Sequence, residues 1–257
     1  MRLAIFGALP RELKYVIRDL GATKSSEGWP FPVHTVAMGR HNITVVQTGM
    51  GMRRAVAALH AVLDKKRPGL VVSIGFCGAL YEQAEAGDLV RASQFLFLTP
   101  TIGRKISFSS LGTTGHGSDV PEIEQTMERL SGTIAMRKGA IITFERQMKK
   151  RVLAKQIPAG LEFPVCDMET FGIAGLSRER NVPFLAFRAV SDTLDVEVPP
   201  ELVGVVDDNG EPRLGRLFTA VTTNPALVTD VLRLRRDSET AARNLGMLIE
   251  QLSGALY

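Results

Sequence analysis

Two short acidic stretches in this chain, about one βα unit apart, can bring carboxylates into a single crevice. They are Asp167-Met168-Glu169-Thr170 and Arg188-Ala189-Val190-Ser191-Asp192. The second closes the apolar run Val182-Pro183-Phe184-Leu185-Ala186-Phe187, whose length and composition suit a strand covered on both faces. Asp192 thus falls at the C-terminal edge of a parallel strand, where open α/β sheets place their ligand sites. An acid ending a buried strand needs a partner or a role. Arg188 is the nearest candidate partner, since alternate strand positions share a face. Taken singly, Glu169 also reads as an ordinary acid in a first helical turn. Glu12, just past the first strand, reads as a carboxylate favouring a helix dipole. Together, carboxylates at one sheet edge point to acid/base chemistry.

The elements that must position these residues alternate. Residues 2–7 read as a strand stopping at Gly7, with Pro10 opening a helix to Leu20. Residues 33–48 suggest a hairpin around Gly39; Gly49-Met50-Gly51 leads into a helix from Met52 to Leu63. A strand over 69–75 is expected to break at Gly75-Phe76-Cys77-Gly78, and another spans 88–98. The Gly-, Ser- and Thr-rich segment 102–120 reads as a mobile loop. Beyond it come a helix at 121–131, a strand at 137–144, a helix at 147–156 and a short strand into Asp167. A helix from Glu169 to Arg180 then precedes the strand ending near Val190. The alternation predicts a single three-layer α/β/α domain with a mixed, mostly parallel central sheet over residues 1–195. Residues 196–257 read as a helical extension packed on the same domain, with helices near 214–222 and 225–252.

Bulk composition narrows the classes. The 257 residues are 45% hydrophobic and 23% charged, with a net charge of +4. Basic residues are scattered apart from Lys149-Lys150-Arg151 and 233–236, without interleaved aromatics, which argues against nucleic acid as a partner. No apolar stretch approaches the ~20 residues of a membrane span. Met1–Gly7 looks like a first strand and not a signal peptide. Cys77 and Cys166, far apart in apolar surroundings, read as buried thiols of a reduced, cytoplasmic protein. His34, His41, His60 and His116 show no ligand spacing, so neither a metal nor another cofactor is expected.

In combination the motifs become specific. Gly7-Ala8-x-x-x-Glu12, Thr48-Gly49-Met50-Gly51, Gly75-Phe76-Cys77-Gly78-Ala79-Leu80, Gly87-Asp88-Leu89-Val90 and the two acidic stretches resemble, in order, the nucleoside phosphorylase/nucleosidase family. The methylthioadenosine/S-adenosylhomocysteine nucleosidase branch is the most similar. The tail beyond 196 departs from that branch and is somewhat similar to hopanoid-associated members.

The resemblance implies a nucleosidase acting on a purine nucleoside, with adenine as the base and a 5′ substituent, in the hopanoid case a hopanoid chain. Asp192 matches the acid that gives a proton to purine N7, a role a buried carboxyl with raised pKa would suit. Glu12 matches the residue that activates water. Glu169 and Met168 match the ribose-holding pair. Phe144, with Gln147 or Met148, falls near the segment lining the base pocket; Phe76, Gly78 and Ser191 belong to the substrate-binding set. A homo-oligomer, a dimer, is also implied. Related phosphorylases carry a phosphate-binding serine after the first glycine of the Gly75 turn and an arginine two residues before it. Here those positions are Phe76 and Ser73. Phenylalanine cannot donate to phosphate, and without the guanidinium fork the dianion loses its best partner. Water is therefore expected as the nucleophile, and Phe76 can flank an apolar substituent. Two alternatives stand beside this reading: a phosphorylase using backbone donors of the glycine turns, and a nucleoside-binding protein without turnover. For the tail, an ordinary packed helix or subunit contact is the main expectation and contact with a lipid surface the lesser one.

Overall fold

The computed structural model describes residues 1–39, 41–100, 106–111, 121–145, 148–196, 224 and 227–256. The first strand, β1 (Arg2–Gly7), shows why the sheet is covered on both sides. Leu3 and Ile5 enter one apolar cluster, while Ala4 and Phe6 enter another on the opposite face. Each of the larger of these side chains, fully withdrawn from water, contributes roughly 1.5–3 kcal/mol. Helix α1 (Pro10–Leu20) starts with proline at its first position and ends at Gly21, whose φ of 65° is the left-handed cap. Strands β2 (Thr23–Lys24), β3 (Val33–Met38) and β4 (His41–Gln47) follow, then α2 (Met52–Lys66) and β5 (Leu70–Ala79).

Strand β6 (Leu89–Pro100) folds back on β7 (Ile106–Ser110), and α3 (Pro121–Thr133) leads to β8 (Met136–Thr143). Helix α4 (Lys150–Ala154), β9 (Val165–Asp167), α5 (Thr170–Glu179), β10 (Phe184–Asp192) and α6 (Leu227–Ala255) complete the described elements.

The sheet is mixed. Strands β4, β1, β5 and β10 run parallel in that order, and β3 and β2 extend the β4 edge antiparallel. On the other side the sheet closes on itself. Strand β10 pairs β6, β6 pairs β8, β8 pairs β9, and β9 returns to β5 at Gly78 and Ala79. Helices α1, α3 and α6 cover one face through Leu13, Met127 and Leu245, and α2 and α5 cover the other through Leu59 and Ile173. Helix α6 lies along α1 and over β10.

Three expectations need correction. Strand β5 does not break at Gly75. It continues to Ala79 because β10 pairs it from Phe184 to Asp192 and β9 pairs Gly78 and Ala79. Partners on both sides outweigh the local preference of a glycine-rich run for a turn. Within the expected loop 102–120, residues Ile106–Ser110 form β7, held by Leu96–Pro100 of β6. The helix expected over 147–156 spans only Lys150–Ala154. The helix expected at 214–222 lies outside the described residues.

Candidate active site

The C-terminal ends of β1, β5 and β10 converge with the β9–α5 junction on a cavity of about 350 Å³. Glu12 reaches it from the first turn of α1. Pro10 fixes the helix start, and the Glu12 carboxylate then accepts N–H bonds from Leu9 (2.8 Å) and Phe76 (2.8 Å). This is more than a dipole contact, because Phe76 belongs to strand β5 and not to α1. The approach demands glycine at 75, where an added Cβ would lie 2.9 Å from Glu12 Oε1. Burial pushes the Glu12 carboxyl up, while the Phe76 and Leu9 N–H groups and the Arg188 charge pull it back.

Glu169 occupies the N-cap position of α5 and faces the cavity. Its Oε1 accepts the Gly51 N–H at 2.7 Å, tying the β9–α5 junction to the turn before α2. Burial, and then the Asp167 and Glu12 carboxylates, push its carboxyl up to about 8. Glu169 therefore holds a proton that an exposed carboxylate would give up.

Arg188 is not the partner of Asp192. Arg188 is 1% exposed and its guanidinium turns to Asp167, with Nε 2.9 Å and Nη2 2.8 Å from Oδ2. It also donates to the Phe187 carbonyl (2.8 Å), Ser73 Oγ (3.0 Å) and Thr170 Oγ1 (2.5 Å). Thr143 Oγ1 (2.6 Å) and the Thr170 N–H (3.1 Å) donate to Asp167. This network joins β5, β8, β9, α5 and β10 behind the cavity.

The partner of Asp192 is Lys150, whose ammonium bonds Asp192 Oδ2 and the Thr193 carbonyl (2.5 Å). Ser191 Oγ lies 2.7 Å from Asp192 Oδ1. Sequence reasoning registered Lys150 only as part of a basic cluster. Its burial follows from α4, a helix of only five residues whose Leu153 packs with Leu96, Leu98 and Ile142, and no periodicity announces so short a helix. Gly78 makes room for the pair: a Cβ there would sit 2.8 Å from Lys150 Cδ, 3.0 Å from Asp192 Oδ2 and 3.1 Å from Cys166 Sγ. Gly78→Ala is accordingly expected to cost roughly 1–3 kcal/mol by overpacking, read as a lowered Tm; an unchanged Tm would mean that Lys150 yields without cost.

Of the other expected residues, Phe76, Met168 and Ser191 also border the cavity, as do the buried Phe144 and the partly buried Met148. Gln147 lies outside the described residues. Cys77 and Cys166 are free and buried, and burial pushes both thiols up, which leaves them unreactive. Among the described residues no cluster of acids, histidines and cysteines is arranged to hold a metal, and no helix is long and apolar enough to cross a membrane. A larger cavity of about 510 Å³ opens at the opposite end of β1 and β4, near Arg2, Asn42 and Lys66. No carboxylate, thiol or imidazole borders it, so it offers no comparable chemistry.

Comparison with known proteins places these observations. Residues 2–223 match the family model described as the phosphorylase superfamily. The 5′-methylthioadenosine/S-adenosylhomocysteine nucleosidase of Colwellia psychrerythraea is 27% identical over 214 residues, covering 77% of this chain and 86% of the relative. That of Pseudoalteromonas translucida is 24% identical over 208 residues, covering 77% and 87%. Among solved structures, the Colwellia nucleosidase in complex with adenine superposes with a TM-score of 0.70 at 21% identity, covering 100% of this chain and 96% of that one. The futalosine hydrolase of Helicobacter pylori gives 0.68 at 14% identity, covering 99% and 97%.

Proposed function

We propose, from the premise that the chain belongs to the phosphorylase superfamily, that it hydrolyses the N-glycosidic bond of a purine nucleoside. The observation that carries this reading is the convergence of Glu12, Glu169 and Asp192 on one cavity at the strand ends. Cleavage of such a bond passes through an oxocarbenium-like state. It needs a proton for the leaving base and a nucleophile at the anomeric carbon. Asp192 delivers the proton to N7. Glu12 accepts the proton of the attacking water, and a carboxyl raised by burial is a stronger proton acceptor once ionised. Glu169 accepts hydrogen bonds from the ribose hydroxyls, with Met168 against the sugar. The nucleosidase names of the curated relatives support both the bond cleaved and adenine as the base.

Electrostatics favour water over phosphate. Glu12, Asp167, Glu169 and Asp192 border the cavity with Lys150 as the single cation among its described lining residues, and Lys150 is committed to Asp192. The nearby guanidinium, Arg188, is committed to Asp167. A phosphate dianion would meet a net negative site without a free fork to hold it. Leu9, Met50 and Phe76 make one side of the cavity apolar. This side suits an apolar 5′ substituent, of which a hopanoid chain is one form and a methylthio group another. Chromatographic assay of 5′-methylthioadenosine is expected to show free adenine at the same rate with and without phosphate. Strict dependence on phosphate would make the enzyme a phosphorylase; tight binding without product would make it a binding protein.

A further inference from the structure

A carboxylate engaged by an ammonium has no proton of its own to give, yet Asp192 is placed to protonate the leaving base. Lys150 resolves the difficulty. Its side chain is 7% exposed, and its ammonium contacts Asp192 Oδ2 and the Thr193 carbonyl. An ammonium has three N–H donors, so two are accounted for by these acceptors. The Lys150 side chain borders the same cavity as Asp192, and both crowd the space that Gly78 leaves open. On the other side of the carboxylate, Ser191 Oγ holds Oδ1. The carboxyl plane is thereby fixed between a proton-rich nitrogen and the cavity.

We propose that Lys150 is the proton source for the leaving purine, with Asp192 as the relay. This rests on the hydrolase reading above. In the step, a proton passes from Lys150 Nζ to the Asp192 carboxylate as the carboxyl proton so formed passes to N7. The C1′–N9 bond breaks with its electron pair remaining on the base. Water forms the new C1′–O bond and gives one proton to Glu12, keeping the other as the product hydroxyl. Lysine ends as the neutral amine, Asp192 as the carboxylate it began as, and Glu12 as the acid. Exchange with solvent after product release returns Lys150 and Glu12 to their starting states. Lys150 acts through Asp192 and is a positioning and proton-supplying residue, not one that touches the base.

The alternative is that Lys150 merely holds Asp192 in place by its charge. Two substitutions and two substrates separate these roles. Arginine keeps the cation and the hydrogen bond but does not give up its proton in proteins. A 4-nitrophenyl riboside needs no proton on its leaving group, whereas 5′-methylthioadenosine does. Lys150→Arg and Lys150→Met are both expected to lose kcat on 5′-methylthioadenosine by roughly 10²- to 10⁴-fold, the range of general acid catalysis. On the nitrophenyl riboside both should stay within about threefold of the parent enzyme, which also reports that the site is folded. Restoration of nucleoside cleavage by arginine overturns the proposal, as does an equal loss on both substrates. Those outcomes leave the hydrolase reading intact. If the parent enzyme cleaves neither compound, the hydrolase reading fails and the proposal with it.

Discussion

Replacing Arg188 with methionine is expected to lower the stability of the protein by about 3–5 kcal/mol, the loss typical of breaking a buried ion pair. Arg188 and Asp167 are both almost completely withdrawn from solvent. The guanidinium also satisfies the Phe187 carbonyl, Ser73 Oγ and Thr170 Oγ1. Methionine fills much of the same volume but leaves Asp167 as a buried acid supported, among the described residues, by Thr143 Oγ1 and by the N–H and hydroxyl of Thr170. The cost lies mainly in that uncompensated charge, so Asp167→Asn added to Arg188→Met should recover much of the loss. Urea unfolding of the two single variants and the double variant measures it. A loss below about 1 kcal/mol for Arg188→Met would show that water reaches Asp167 and that the network is not a structural anchor. The function follows the same link. Asp167 fixes the start of α5, where Glu169 sits, so Arg188→Met should also loosen the proposed ribose contact.

Most of the architecture was legible because it is written in patterns of burial. Val182–Phe187 is apolar throughout and leads into β10, which runs on to Asp192, and residues 2–7 become β1 with both faces in contact with core clusters. The convergence of Glu12 and Asp192 was legible as well, since they follow or end β1 and β10, which the parallel part of the sheet delivers to the same edge; Glu169 joins them from β9, which runs antiparallel to β5. Pairing between strands was not. Gly75–Gly78 looks like a turn in sequence and extends as strand because β10 and β9 supply its hydrogen bonds. The ion pairs followed the same rule. Arg188 is four residues from Asp192, yet Asp167 is its partner, because β9 packs where Arg188 points. Lys150 reaches Asp192 across 42 positions of sequence through a cleft that Gly78 keeps open. Local spacing cannot rank partners that only the tertiary fold brings together.

Asp192→Asn is expected to reduce kcat on a purine nucleoside by roughly 10²- to 10⁴-fold, with KM changed little. The carboxamide keeps the size of the carboxyl and can still accept from Lys150 Nζ and bond Ser191 Oγ, so the geometry around β10 should survive. What it cannot do is take a proton and pass it on. The loss should therefore appear in the rate of bond breaking and not in binding. Glu169→Gln provides the contrast. An amide accepts hydrogen bonds from ribose hydroxyls less strongly than a carboxylate, so its larger effect belongs in KM, above about pH 8 where Glu169 ionises. KM for the parent should accordingly fall as pH rises through about 8 and the Gln variant should lose that dependence, since burial, and then Asp167 and Glu12, raise the Glu169 carboxyl. Steady-state kinetics of both variants on 5′-methylthioadenosine and on the nitrophenyl riboside would separate the roles. If Asp192→Asn lost equally on both substrates, the carboxylate would be stabilising the cationic sugar and not protonating the base. The proton would then have to come from another donor at the cavity, and Lys150 is the group already within reach.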